Sequence, residues 1–423
     1  MIDVSTKTTV LLTLSLLKGV GPAALRHVVQ IPFFEEEGIV ELIARLPRNA
    51  GANIDSAAIS AAISEANRQI GLVDTAGARI ISTADAEYPE LLKKTKDDPQ
   101  ILFVKGNLAP EPEKSVAIIG TREPTEHGKV IAQRLTGFFV EQGWSIVSGL
   151  ALGCDALAHE AAMNAGGHTV AVLAHGLQTV APSRHKKLAA RILETGGALV
   201  TEYRFGQEPL PTNFVKRDRI QAGLSQGVVM IQSDLQGGSL HASRASIGYG
   251  RWLAVPFPTG QDISRDEPKI QANLMLADGT QTDQTALLKC DGRDLNRLIV
   301  LRGKSDYARM LGTHFLQEQA MPETEAEPIR DLFSALPTPQ SAPVVNVKSP
   351  EPDPIKKILL DHIAMIEKQL EVYHHGLVKY GRDIARQEHY QKLMHDFNRL
   401  QESLQRVREI EVSVNQESRL NRP

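Results

Sequence analysis

The chain has 423 residues, of which 42% are apolar and 23% charged, and a formal net charge of −3 at pH 7. These values exclude a chain that binds nucleic acid through overall positive charge, although a local basic face can exist within a balanced total. Its two cysteines, Cys154 and Cys290, exclude a disulfide framework and a cysteine-based zinc site, and they suit a reducing, cytoplasmic compartment.

Residues 1–72 are expected to form a helical domain. Apolar residues recur at helical spacing in "VLLTLSLL", "AALRHVV" and "IVELIARL", and "DSAAISAAISEANRQI" is rich in helix formers. The apolar start follows no basic stretch and precedes no small-residue cleavage site, so it reads as a helix of the fold and not as a leader. No run of about 18 apolar residues occurs, so neither a membrane span nor a membrane partner is expected. In "LLKGVGPAALRHVV", Gly19 and Gly21 separate two apolar runs, and Pro22 suits the first position of the second helix. This is the layout of a helix-hairpin-helix turn. Two readings stay open: backbone contact to a phosphate at Gly19 and Gly21, or a tight turn between packed helices.

An α/β domain is expected over residues 73–300. "ARIIS" reads as extended, and "DAEYPELLKKTKDDPQILFVKGNL" as a helix leading into a strand. Then short apolar runs alternate with helical ones. "SVAIIG", "WSIVSG", "TVAVLA", "GALVTEY", "GVVMIQ" and "RWLAVPFP" are the strands, with helices near 127–142, 155–165, 184–195, 214–225 and 239–250. Continuously apolar strands, each followed by a helix, indicate a parallel sheet covered on both faces. Such sheets bind ligands outside the carboxyl ends of their strands. The loops starting at Gly120, Ser148, Ala174, Tyr203, Gln232 and Pro256 are therefore expected to line a site.

Four of these regions carry chemistry. "SVAIIGTREPTEHG" lacks the G-x-G-x-x-G fingerprint, so no dinucleotide cofactor is expected. Arg122, just past the strand, suits a bidentate hold on phosphate; a surface ion pair is the alternative. In "SGLALGCDALAHEAAM", Ser148 and Gly149 end a strand, Gly153 precedes a helix, and Asp155 and His159 stand four apart on one face. Three readings compete: a phosphate loop at a helix N-terminus with Asp155 as cap, a purely structural turn, or a catalytic pair. No nucleophile stands beside the pair, and no further ligand at a clear spacing makes a metal site, so neither catalytic residues nor a metal are assigned. In "LPTNFVKRDRIQAGLS", Asn213 can cap a helix, Lys216, Arg217 and Arg219 can neutralise phosphates, and Phe214 can stack on a base; a solvated charged face is the bland reading. In "SDLQGGSLHASRASIGYG", Gly237, Gly238 and Ser239, followed by Leu240, offer a backbone nest for an anion.

A helical extension is expected over 301–320 and a Pro-rich, polar, disordered linker over 321–354. In the region 355–423, Ile355, Leu359, Ile363, Ile366, Leu370, Tyr373 and Leu377 repeat three or four apart. Leu393, Phe397, Leu400, Leu404 and Val407 do the same. Two coiled-coil-like helices for self-association or an additional partner fit this spacing; a pair of ordinary amphipathic helices is the alternative.

Taken in order, "VAIIGTR", "VSGLALGCDALAHEAAM", "GGHTVAVLAHGL", "VTEYRFG", "NFVKRDRIQAGLS", "GGSL" and "NLMLADG" resemble the DNA-processing protein A (DprA/Smf) family. "KGVGPAALRHVV" and "YPELLKK…ILFVKGNL" extend the resemblance toward the N-terminus, so it covers roughly the first two thirds of the chain. The resemblance implies an extended Rossmann-like sheet behind an N-terminal helical domain, and single-stranded DNA binding without a cofactor. It also implies loading of a RecA-type recombinase, displacement of single-strand-binding protein, and a homodimer. The implied DNA- or phosphate-binding residues are Arg122, Ser148, Gly149, Asn213, Phe214, Arg217, Arg219, Gly238, Ser239 and Leu240. Gly153 and Lys216 join them from the residue reading, with Asp155 and His159 as support.

The chain departs from the family pattern at several places. Arg217-Asp218-Arg219 stands where Arg-Asn-Arg is usual, which adds a negative charge beside a phosphate site. Gly237-Gly238-Ser239 stands for Ser-Gly-Ser, Pro256-Phe257 for Pro-Gly, and Cys154 for an aliphatic residue. The family's C-terminal winged helix is not visible in the sequence. The rival function is a nucleotide-binding sensor or nucleotide-processing enzyme of the same fold class, in defence against foreign DNA. The Pro-Gly-Gly-x-Gly-Thr-x-x-Glu signature of related phosphoribohydrolases is absent, which counts against that chemistry.

Overall fold

The computed structural model describes residues 4–47, 50 and 54–311. The linker expected over 321–354 and the helices expected over 355–423 lie outside the described residues, as do residues 312–320 of the extension expected over 301–320, whose described part holds a 3₁₀ helix, Lys304–Leu311.

Nine strands form one sheet among the described residues. They are β1 (Arg79–Ser82), β2 (Ile101–Gly106), β3 (Ser115–Ile119), β4 (Ser145–Ser148), β5 (Thr169–Val172), β6 (Ala198–Thr201), β7 (Gly227–Met230), β8 (Trp252–Pro256) and β9 (Leu298–Leu301). Their spatial order is β1-β2-β6-β5-β4-β3-β7-β8-β9. From β6 to β9 all neighbours run parallel, whereas β2 pairs antiparallel with both β6 and β1. The sheet is thus mostly parallel, with an antiparallel edge. The chain moves outward from β3 through β4, β5 and β6, then crosses back to place β7 on the other side of β3. That reversal is the topological switch point of a doubly wound fold. β9 was not expected: "LIVL" follows a six-residue 3₁₀ helix, Gly292–Arg297, and stands outside the strand–helix alternation that marks the other parallel strands.

The central strands are buried throughout and mostly apolar because both faces are covered. One face carries helices Glu126–Glu141 and Cys154–Asn164, whose Leu135, Phe139, Ala158 and Ala162 pack on Val116, Ile118 and Ile146. Phe139 stacks on Trp252 at 6.2 Å between centroids. The other face carries helices Pro211–Gly223 and Ser239–Gly248 through Ile220, Ala222, Leu240 and Ile247.

Helices Thr6–Ser15, Pro22–Val29, Ile39–Ala44 and Ser56–Thr75 form the N-terminal part. Leu11, Leu14, Val28, Leu42 and Val73 share a core with Ile80, Ile101 and Phe103 of the antiparallel edge and with Phe205. Gln69 seals that contact: its Nε2 donates to Phe205 O at 3.0 Å, and its Oε1 accepts from Phe205 N at 2.9 Å. Among the described residues no helix is long and apolar enough to cross a membrane.

Candidate functional site

The carboxyl ends of β3 and β7 are tied together before any ligand enters. Thr121 N donates to Gln232 O at 2.8 Å. The Gln232 side chain reaches across to Thr125, accepting from its N–H at 3.0 Å and donating to its Oγ1 at 2.9 Å. Asn273 fixes the next loop: its Oδ1 accepts from Ser233 N at 3.0 Å, and its Nδ2 donates to Ile231 O at 2.9 Å and Pro256 O at 3.1 Å. Gly120 lets the turn close over Cys154, since a Cβ there would come within 2.6 Å of Cys154 Sγ. Cys154 is fully buried, and burial pushes its thiol up, so it is an inert packing group.

These loops surround a cavity of about 620 Å³ at the switch point. One wall is Thr121 and Arg122, and another is the first turns of helix Pro211–Gly223 with Phe214 and Val215. The third is Gly237, Gly238 and Ser239, and Lys269 closes the side next to Asp234. Arg122 is exposed, with no side-chain hydrogen bond or ion pair among the described residues. The N–H groups of Gly238 and Ser239, at the start of helix Ser239–Gly248, are likewise unspent among the described residues. They point the positive end of a helix dipole at the space Arg122 borders. Ser239 Oγ donates to Ser233 Oγ at 2.8 Å, which holds this loop in place.

The floor of the cavity is ionic. Arg217 is 3% exposed. Its Nη1 donates to Gly149 O at 2.6 Å and to Val172 O, which joins the ends of β4 and β5. Two carboxylates flank it. Asp155 Oδ2 accepts from Gly149 N at 3.1 Å and Ala151 N at 3.3 Å. Asp218 Oδ1 lies 3.2 Å from Arg217 Nε and accepts from Gln221 Nε2 at 2.9 Å. Burial pushes both carboxyls up, Asp218 to about 7, against the pull of the Arg217 guanidinium.

The cavity thus gathers Arg122, Phe214, Arg217, Gly238, Ser239 and Asp155. Other expected residues lie elsewhere. Ser148 is fully buried and donates to Ile118 O at 2.6 Å, so its hydroxyl is spent in the sheet. Leu240 belongs to the core. Lys216 is exposed and off the cavity. Arg219 turns to the opposite side of its helix and clamps Glu202 with two bonds, of 2.9 and 2.7 Å. Gly19 and Gly21 form an exposed turn between the first two helices and do not border the cavity. His159 is fully buried against Thr169, 2.7 Å from its Oγ1, and also does not border it.

Two cap assignments need correction. Asp155 is not the N-cap of helix Cys154–Asn164. Gly153 is, and the Asp155 carboxylate folds back onto the amides of the preceding loop. Asn213 is not a cap either, because the helix starts earlier, at Pro211 with Leu210 as N-cap. Proline at the first helical position was the signal that marks this start. Gln232 starts a loop expected to line the site, and Gln221 and Asn273 lie in motifs of the family resemblance, but the roles of these side chains and of Lys269 were not legible, because each reaches the site through tertiary packing and not through local spacing.

Gly149 and Gly153 serve the site by allowing close approach. A Cβ on Gly149 would overlap the Arg217 guanidinium. Gly153 has φ +75° and ψ −123°, and a Cβ there would overlap Thr121 O. Cys154 N donates to that same oxygen at 3.1 Å, so the first N–H of the helix is spent on the neighbouring turn and not left for an anion. Gly153→Ala is expected to cost about 2 kcal/mol or more, from backbone strain plus the displaced turn. A thermal unfolding midpoint unchanged by this substitution would contradict that account.

Comparison with known proteins fits this geometry. The family model described as DNA recombination-mediator protein A matches residues 79–279. Protein Smf of Escherichia coli K12 is 41% identical over 179 residues, which are 42% of this chain and 48% of that protein. The DNA processing protein DprA of Bacillus subtilis 168 is 36% identical over 182 residues, 43% of this chain and 61% of that one. The chain therefore spans about half to three fifths of the length of these relatives. The crystal structure of DprA from Streptococcus pneumoniae superposes with a TM-score of 0.54 at 22% identity, covering 73% of this chain and 98% of that one, and so shares the fold. The matched segment runs from β1 to the end of helix Gln271–Asp278 and includes every loop of the cavity. Over that segment the chain is similar to the DNA-processing protein A (DprA/Smf) family.

Proposed function

We propose that the switch-point cavity binds single-stranded DNA, and that the protein is a non-enzymatic recombination mediator that loads a RecA-type recombinase onto that strand. The observation that carries the reading is the convergence of an unpaired Arg122 with the unspent Gly238 and Ser239 amides beside the ring of Phe214. A cation and two amides suit one phosphate, and an aromatic edge suits a base stacked next to it. Arg217, Gly149 and Gly153 act beneath, by holding the walls in place. Binding fits better than catalysis, because His159 is sealed in the core and Asp155 is committed to backbone amides. The recombinase partner, a homodimeric form and a cytoplasmic location complete the proposal, supported by the likeness to the DprA/Smf family.

Anisotropy of a labelled oligothymidylate, titrated with the protein at several salt concentrations, tests it. Each phosphate neutralised contributes a slope of about −0.7 in log K against log salt on a single strand. Arg122→Ala is expected to weaken binding at least about tenfold and to reduce the slope's magnitude by about one such unit. Tight binding of a mononucleotide without binding of the oligonucleotide would replace this reading with the nucleotide-sensor one. An unchanged affinity and slope in Arg122→Ala would remove the cavity as the DNA site.

A further inference from the structure

Arg217 is one cation between two carboxylates. Asp155 is already satisfied by two backbone amides, whereas Asp218 borders the cavity with a single side-chain donor, Gln221. Its second oxygen, Oδ2, has no hydrogen-bond partner among the described residues. With both carboxyls ionised, the floor carries one net negative charge under the place where a phosphate would sit. Resting on the reading of this cavity as a phosphodiester site, we propose that Asp218 sets its affinity: the pocket takes up one proton on Asp218 as the anionic strand binds. The neutral carboxyl removes the repulsion, and its O–H donates to the phosphate oxygen. No bond other than O–H is made, and the proton comes from solvent.

The surroundings support this. Gln221 Oε1 is buried without a partner among the described residues, so a half-turn of its amide lets it accept a hydrogen bond as Asp218 takes up its proton. The charged groups that face Asp218 come from every wall: Arg217 on its own helix, Asp155 from the helix below, Arg122 and Glu123 from the β3 turn, and Asp234 with Lys269 opposite. Lys269 lies 3.5 Å from Asp234 and is already paired. Among the described residues no histidine lines the cavity. Burial holds the Asp218 carboxyl at about 7, so the proton is exchanged near neutrality.

The test uses the full chain and a labelled oligothymidylate, whose bases and phosphodiesters do not titrate near neutrality, at fixed ionic strength from pH 6 to 8.5. The wild-type dissociation constant is expected to rise at least about tenfold over that range, approaching tenfold per pH unit at its upper end. Asp218→Asn is expected to bind as tightly at pH 8.5 as the wild type does at pH 6, with no slope. Calorimetry of the wild type at pH 7.5, in buffers of differing ionisation enthalpy, needs no variant; it should show uptake of up to about three quarters of a proton per site, and Asp218→Asn should show none. Wild-type binding independent of pH, or a slope that persists in Asp218→Asn, overturns the role of Asp218 and leaves the DNA site standing. No oligonucleotide binding at any pH overturns both.

Discussion

Arg217→Met should destabilise the protein by about 3–5 kcal/mol at pH 7.5, the cost of leaving buried charge uncompensated. Methionine replaces most of the volume, so the loss is electrostatic and not a cavity effect. Three things go at once. Gly149 O and Val172 O lose their donor, which unties the ends of β4 and β5. Asp155 loses the cation that offsets its complete burial. Asp218 loses the guanidinium 3.2 Å away. The two carboxylates then face each other with no cation between them. Adding Asp218→Asn to Arg217→Met should recover at least about 1 kcal/mol, because one of the two charges is gone; residues in one network do not add. Urea unfolding of the single and double variants measures both quantities. A loss under about 1 kcal/mol in Arg217→Met, or no recovery in the double variant, would mean that Arg217 is not the clamp of the floor.

The contrast between Arg217 and Arg219 shows where sequence reading stops. "VKRDRIQ" places three cations within four positions, and composition treats them alike. On a helix, residues two apart point about 200° apart. Once Ile220 faces the core, Arg217 turns under the cavity and Arg219 toward Glu202. That choice depends on where the helix lies against the sheet, which no local pattern contains. The strand–helix alternation was legible because strands buried on both faces must be largely apolar, as in β3, where all five residues are buried and Val116, Ala117, Ile118 and Ile119 are apolar. The glycine loops were legible too, but their division of labour was not. Gly153 and Gly149 admit neighbouring protein groups, whereas Gly238 leaves its amide open. Gln232 and Asn273, which hold the loops of the cavity in place, are ordinary polar residues whose partners lie in other loops.

Acidification is expected to weaken the fold through His159. Thr169 Oγ1 donates to Ile146 O at 2.9 Å, so its proton is committed. His159 Nδ1, 2.7 Å away, must therefore donate to it, which leaves Nε2 as a bare acceptor with no partner among the described residues. A second proton would sit on Nε2 with nothing to receive it, near the Arg217 charge. Burial first, then Arg217 and His185, push this imidazole down to about 3 from an ordinary 6.5. The folded pKa is below the unfolded one. The contribution is therefore intact above about pH 6.5 and is lost as pH falls toward 3, at about 1.4 kcal/mol per unit. Asp155 and Asp218 work in the opposite sense, because burial raises both; they bind protons more readily when folded. Total stability against pH mixes these terms, but the difference between wild type and His159→Gln does not, since both carboxyls are present in each. The glutamine amide can still donate to Thr169 Oγ1 and carries no charge at any pH. The stability advantage of the wild type over His159→Gln should therefore shrink by about 3 kcal/mol between pH 7 and pH 4. Denaturant unfolding of both proteins at those two pH values reads this directly. A difference that stays constant would show that His159 accepts its proton without cost, and the sealed, neutral imidazole would have to be abandoned.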